Sequence, residues 1–486
     1  MRSGPETSMT ILRYRQIAFC ITSMLFMLLI SSLLALPTVA AAPDIEWNRT
    51  YEGNGYSIIA IDDGFVITGS GSGGNSGSDV WLAKTDLDGN LVWSKHYGGA
   101  STEIGWSVAA CGDGYVVVGY TTSFGEHGDI YLVRTDLNGN MLWNKTYGES
   151  KLDCGYDVAV VSDGYILTGY VNWDDTHGDI FLLKTDLDGN VVWNKHYDRP
   201  GGEGKSIVVT SDGYVVGGSR DLNAQKSREF YLLKTDFSGN IIWENTYGDV
   251  REDTCYGMAA TNDGYLMTGR TRLIGYGDPD PNIYDILLVK TDLNGNQLWT
   301  KALGTSDIDQ GESVVVASDG YIIAGETLPR SNMNDIHLYL VKTDFDGNVM
   351  WEKTTAGNNY RYGYSEAYRN GACYITGTYG GSDQTYLVKI SSDAPAQTTE
   401  STVTPIASIV PTATVTPAPS LNSTPSVTPV PTITGTQAPP VTPTSSPTPG
   451  SLQATPTPVI DGIYAVLVFG IVTLYLIAGY RKNRRR

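Results

Sequence analysis

The chain of 486 residues sets 52 acidic against 33 basic side chains, for a formal charge of −19, and holds 55 glycines. Such a polyanion repels a phosphate backbone, which argues against a nucleic-acid partner. Five cysteines and five histidines, scattered along the chain, make neither a disulfide framework nor a metal-ligand or catalytic-triad spacing.

Residues 1–16 carry Arg2, Arg13 and Arg15, Ile17 to Leu36 is apolar throughout, and small residues follow at Ala40 to Ala42. That order reads as a secretory signal peptide over residues 1–41, with an uncut signal anchor as its rival. Either way the next segment is expected outside the membrane.

The stretch DIEWNRTY, from Asp44, is a Trp-bearing strand without companions before it. From Lys84 the ten residues KTDLDGNLVW appear, and they return with small changes from Arg134, Lys184, Lys234, Lys290 and Lys342. Successive tryptophans stand 50, 50, 50, 56 and 52 residues apart, a fixed period that predicts copies of one supersecondary unit. Each period holds four short runs rich in Val, Ile, Tyr and Leu, bounded by Gly, Asp and Asn, which predicts four strands and no helix. Asp-Gly pairs beginning at Asp63, Asp113, Asp163, Asp212, Asp263 and Asp319 sit between the first two runs and predict hairpins.

Residues 363–390 supply three strands without a fourth. Joined to the orphan strand at Asp44, they complete one further unit. The expected fold is therefore all-β, a seven-bladed β-propeller over residues 44–390 whose last blade is closed by the amino-terminal strand.

Residues 391–458 are almost entirely Thr, Pro, Ser, Ala and Val, a composition that predicts an extended, O-glycosylated stalk reaching on the order of 200 Å at most. Residues 462–480 are 19 apolar residues, about 28 Å of helix and enough to span a bilayer. The tail 481–486 follows with Arg481, Lys482, Arg484, Arg485 and Arg486. Basic residues stay inside, so the expected protein is a single-pass cell-surface protein with its propeller outside. The sequons at Asn48, Asn144 and Asn422 permit N-glycans.

The Gly-x-x-x-Trp spacing of the repeated decapeptide resembles the tryptophan-docking repeat of pyrroloquinoline-quinone (PQQ) propellers, with a turn one residue shorter. Its Asp-x-Asp-Gly order resembles the Asp-box of sialidase-type propellers. Both resemblances imply a propeller and no particular activity. They also imply that Trp47, Trp93, Trp143, Trp193, Trp243, Trp299 and Trp351 pack between blades. Stalk, apolar helix and basic tail together resemble the carboxyl ends of archaeal and Gram-positive surface proteins.

Asp-x-Asp-Gly also opens calcium loops. The second acidic position is Asp88, Asn138, Asp188, Ser238, Asn294 and Asp346 in turn, and no glutamate closes the loop. The turn reading therefore leads, with no cofactor expected and Ca2+ as the alternative.

Counting back ten residues from each Asp-Gly finds Glu103, Asp153, Asp253 and Asp309; counting back seven finds Tyr56, Trp106, Tyr156, Lys205, Tyr256 and Glu312, with Tyr364 one step out of register. These positions are expected to circle one mouth of the central channel. Carboxylates and aromatic rings there suit a sugar, or a divalent cation. The plainer alternatives are packing between blades for the rings and a solvated rim for the acids.

Two function classes follow. The leading one is a surface-displayed binding or structural module for glycans, envelope proteins or other cells; the other is an extracellular carbohydrate-active hydrolase or lyase on the same scaffold. A single non-repeated cluster of Asp, Glu, Tyr or Arg in a pocket would distinguish them, and the long loop Thr271–Asp285 is the first place expected to hold one.

Overall fold

The computed structural model describes residues 41–391, apart from 75–76, 126, 149–150, 174–177, 199–200, 223–227, 249–251, 273–282, 356–359 and 381–383. The expected signal, stalk, apolar helix and basic tail lie outside the described residues, as does most of the Thr271–Asp285 loop. Among the described residues no helix is long and apolar enough to cross a membrane.

Seven four-stranded antiparallel sheets are arranged as blades. The first blade comprises Asn54–Ile61, Gly64–Ser72, Ser78–Asp86 and Leu91–Tyr97 in spatial order. Each following repeat copies it. The seventh blade takes its outer strand, Ile45–Glu52, from the amino end and pairs it with Gln384–Ser391, setting Trp47 opposite Lys389 and Thr50 opposite Tyr386. Neighbouring inner strands pack around the full circle, with Tyr360–Arg369 against Asn54–Ile61 closing it.

Strands two and three of each blade are buried on both faces, as in Gly64–Ser72 and Ser78–Asp86. Adjacent blades cover them, which is why they read as continuous apolar runs. One core cluster joins Val66 and Leu82 of the first blade to Val117 and Tyr131 of the second, and the same arrangement recurs between other blade pairs.

The decapeptide is a joint. Asp86 Oδ1 accepts hydrogen bonds from the Asp88 and Asn90 amides at 3.0 and 2.7 Å, and its Oδ2 accepts from Asn90 Nδ2 at 2.9 Å. These three donors fill most of the accepting positions of the carboxylate. Gly89 has φ +74°, and a Cβ there would lie 2.8 Å from the Trp47 ring of the preceding blade. The tryptophans thus seat on the turn glycine of the next blade, from Trp47 on Gly89 through Trp299 on Gly347. They are half-buried, save Trp351, which is buried.

The hairpins stand where the Asp-Gly pairs predict them, with the turn centred one residue earlier. Ile61 pairs with Gly64, so the turn is Asp62-Asp63 and the glycine opens the second strand. It is required there because a Cβ would sit 1.8 Å from the Thr85 carbonyl oxygen. The aspartate serves another end: Asp63 binds Lys84 Nζ at 2.8 Å, Asp163 binds Lys184 at 2.9 Å and Asp263 binds Lys290 at 2.7 Å. The lysine that begins the decapeptide is thereby anchored to the first hairpin of its own blade.

In each blade the start of the inner strand pairs with the end of the second strand, as Asn54 does with Ser70, so these strand ends lie toward one face of the ring. The turns lie at the other, and Ile45 pairs with Ile390 there, beside the hairpin turn at Gly371. Both ends of the propeller therefore leave from the face opposite the channel mouth.

Candidate ligand-binding channel

Every inner strand carries a β-bulge at one equivalent place, between Gly55 and Ser57 in the first blade and between Gly311 and Ser313 in the sixth. A bulge re-aims the extra side chain. The seven residues so turned are Tyr56, Trp106, Tyr156, Lys205, Tyr256, Glu312 and Tyr364, all half-buried and all lining one central cavity of about 250 Å³. The glycine before most bulges lets blades approach: a Cβ at Gly105 would lie 2.6 Å from Thr68 Oγ1 of the preceding blade.

The cavity has two unlike halves. Along blades seven, one, two and three the rings form an unbroken chain. Tyr362 stacks on Tyr364 at 5.2 Å, Tyr364 meets Tyr56 at 5.1 Å, Tyr56 meets Trp106 at 4.8 Å, and Trp106 meets Tyr156 at 5.8 Å. From there Tyr170 and Trp173 extend the chain outward, with centroids 5.6 and 5.2 Å apart.

Blades four, five and six bring charge. Lys205 Nζ lies 3.4 Å from the Tyr156 ring centroid and 2.6 Å from Glu203 Oε2, while Arg228 holds the other Glu203 oxygen at 2.6 Å. Burial alone would raise the Glu203 carboxyl, but the two cations outweigh it and bring it down to about 2. Arg270 stacks over Tyr284 at 4.5 Å and reaches Gln310 Oε1 at 3.3 Å. Gln310 Nε2 donates to Glu312 Oε1 at 3.0 Å and to Glu326 Oε1. Burial, opposed by Lys205, Arg270 and Gln310, pushes the Glu312 carboxyl up to about 7. Burial and the neighbouring Glu312 push Glu326 well above the usual carboxylate range.

Below these side chains lies a polar belt that links inner strands. Asp157 Oδ1 accepts from Ser107 Oγ at 2.7 Å and its Oδ2 from the Ile207 amide at 2.8 Å, so one carboxylate ties three blades.

No protein-family model and no curated protein matches the sequence. Among solved structures, the chain is similar to the WD40 β-propeller domain of Doa1, at 13% identity and TM-score 0.45 over 71% of this chain and 96% of that one. It is also similar to puromycin hydrolase, at 12% identity and TM-score 0.45 over 67% of this chain, and it spans half the length of that protein. Sqt1 from Chaetomium thermophilum is similar at 12% identity and TM-score 0.40, over 70% of this chain and 83% of that one.

The four carboxylates expected at the mouth do not line the cavity. Glu103, Asp153, Asp253 and Asp309 are buried among the loops between blades. Loop amides there have no ladder partner, and the acids supply one: Glu103 accepts from the Gly99 amide at 2.7 Å and from Thr121 Oγ1 at 2.7 Å, Asp153 from the Asn172 amide at 2.7 Å, and Asp309 from the Thr305 amide at 2.5 Å. Asp79 faces Glu103 across Gly98, and Asp285 faces Asp309 across Gly304. Among the described residues no group of three His, Cys, Asp or Glu is placed to hold a metal ion.

Sequence reasoning found the seven bulge residues and missed their partners. Gln310 stands two places before its bulge residue, and Glu326 is its cross-strand neighbour. The equivalents of Glu326 are Ser70, Tyr120, Tyr170, Ser219 and Arg270, each six residues after the Asp-Gly glycine, a register that could have flagged them.

Proposed function

We propose that this chain is a cell-surface binding module whose propeller offers its channel mouth to a saccharide, with residues 391–480 forming a stalk and membrane anchor. The reading rests on one observation: a chain of aromatic rings from Tyr362 to Trp173 faces a non-repeated set of hydrogen-bonding charges across one cavity. Flat ring faces beside fixed polar groups suit the apolar faces and hydroxyls of a sugar. Screening the full chain in detergent against a glycan array tests the reading, with Trp106→Ala as control; binding that survives this substitution unchanged would place the ligand elsewhere.

A hydrolase is the second reading, favoured by Glu312 and Glu326 meeting on one Gln310 amide. A pair of carboxyls is the usual equipment for glycoside cleavage, and of these two Glu312 lines the cavity while Glu326 is buried behind it. Release of reducing ends from a bound oligosaccharide, lost in Glu312→Gln, would establish it; binding without release would leave the module reading alone.

A further inference from the structure

The charges around this cavity are equal in number but unequally paired. Lys205 and Arg228 share Glu203, and Arg270 and Arg272 lie 3.6 and 3.5 Å from Glu252. Glu312 and Glu326 have only the amide of Gln310 between them. Glu326 is 3% exposed, and its Oε2 is buried without a hydrogen-bond partner. Two adjacent carboxyls in a partly dry site repel once both ionise, and a cation relieves that repulsion.

The same charged half of the cavity already displays the matching chemistry, two blades away. The Lys205 ammonium lies over the Tyr156 ring while a carboxylate holds it from the side. An ammonium over a ring face with a carboxylate alongside is favourable on both counts. Glu312 stands on the cavity wall with Tyr256 and Tyr364 as its neighbours there. Lys205 and Arg270 act on its carboxyl from a distance and Arg270 lies 5.9 Å from the Tyr256 ring, but among the described residues no ion pair joins either cation to Glu312.

We propose that the ligand carries a protonated amine on a sugar ring, a hexosamine unit with a free amino group, and that Glu312 receives this amine. Glu326 lies behind it and adds negative charge through the shared Gln310. The aromatic arc takes the ring faces of adjoining sugar units. The inference rests on the saccharide reading above and names its substrate class. An N-acetylated sugar lacks the charge and offers the carboxylate one neutral amide N–H in place of an ammonium.

The test uses the full chain in detergent and two probes, the fully deacetylated trisaccharide of chitosan and its fully N-acetylated counterpart, titrated calorimetrically at neutral pH. The expected result is at least tenfold tighter binding of the free amine. Glu312→Gln should abolish the difference while retaining the weaker, acetyl-tolerant binding, and Glu326→Gln should reduce it. Equal or tighter binding of the acetylated trisaccharide overturns the amine inference and leaves the saccharide reading standing. A preference that persists in both variants and disappears at high salt belongs to the acidic surface and also overturns it. If no sugar binds in this titration or on the array, the saccharide reading fails together with the inference.

Discussion

The Tyr97 hydroxyl donates a hydrogen bond to the Gly139 carbonyl at 2.6 Å, tying the end of one blade's outer strand to the decapeptide turn of the next. Tyr51 and Gly89, Tyr147 and Gly189, Tyr197 and Gly239, and Tyr247 and Gly295 repeat it. With the tryptophan seated on the same glycine, five of the six turns are gripped by a ring and a hydroxyl from the neighbouring blade. Leu303 occupies the equivalent place after Trp299. Tyr97→Phe is expected to cost about 1 kcal/mol, read as a lower urea midpoint with unchanged slope. Leu303→Tyr is expected to move the midpoint the other way, and a neutral result in both variants would reduce these contacts to packing alone.

Gly89 and Gly74 separate two costs that a sequence cannot tell apart. Both have positive φ, +74° and +90°, but a Cβ on Gly89 meets the Trp47 ring, whereas Gly74 has open space around it. Gly74→Ala pays only for backbone strain, about 1 kcal/mol; Gly89→Ala adds the displaced ring, for about 2–4 kcal/mol in all. Thermal unfolding of the two variants checks the order. Equal losses would mean that the tryptophan yields freely.

Closure of the ring makes a separate claim on residues 44–52. The amino-terminal strand covers one side of Gln384–Ser391, and Thr385 Oγ1 donates to the Gly53 carbonyl at 2.6 Å where the chain passes into the first blade. Removing residues 44–52 leaves the last blade with three strands and an open edge beside the fully buried Leu387. Such an edge promotes association. Size-exclusion chromatography is expected to show aggregation of the truncated chain; a soluble monomer with the parent's unfolding transition would contradict the closure's importance.

The blade count and the closure were legible because they follow from period and from complementary fragments at two ends. Position along a strand was less so. Counting back from Asp63 located Tyr56 and its six equivalents, yet the same counting assigned Glu103 and Asp309 to the mouth, when the backbone turns their side chains into the gaps between blades. A bulge at Tyr56 shifts the facing of everything before it by one residue, and no single residue type announces a bulge. Gln310 and Glu326 were missed for a related reason: each is an ordinary polar residue until strand pairing sets them side by side next to Glu312.

Glu366 yields the clearest pH dependence. It stands one place beyond Ser365 on the seventh inner strand, where other blades carry Ile58, Val108, Val158, Ile207, Met258 and Val314. It is 5% exposed, and burial pushes its carboxyl up to about 8 from an ordinary value near 4.5. The folded chain therefore holds a proton that the unfolded chain releases. The sign follows: this group's contribution is fully present below about pH 4.5 and is lost as pH rises toward 8, by on the order of 4 kcal/mol at the upper end. Glu366→Leu matches the apolar residues of the other blades and removes this dependence. It is expected to raise the unfolding midpoint strongly at pH 8 and little at pH 5, measured by urea titration at both values. A gain of the same size at both pH values would show that the leucine acts through packing and that the buried carboxyl is not the source.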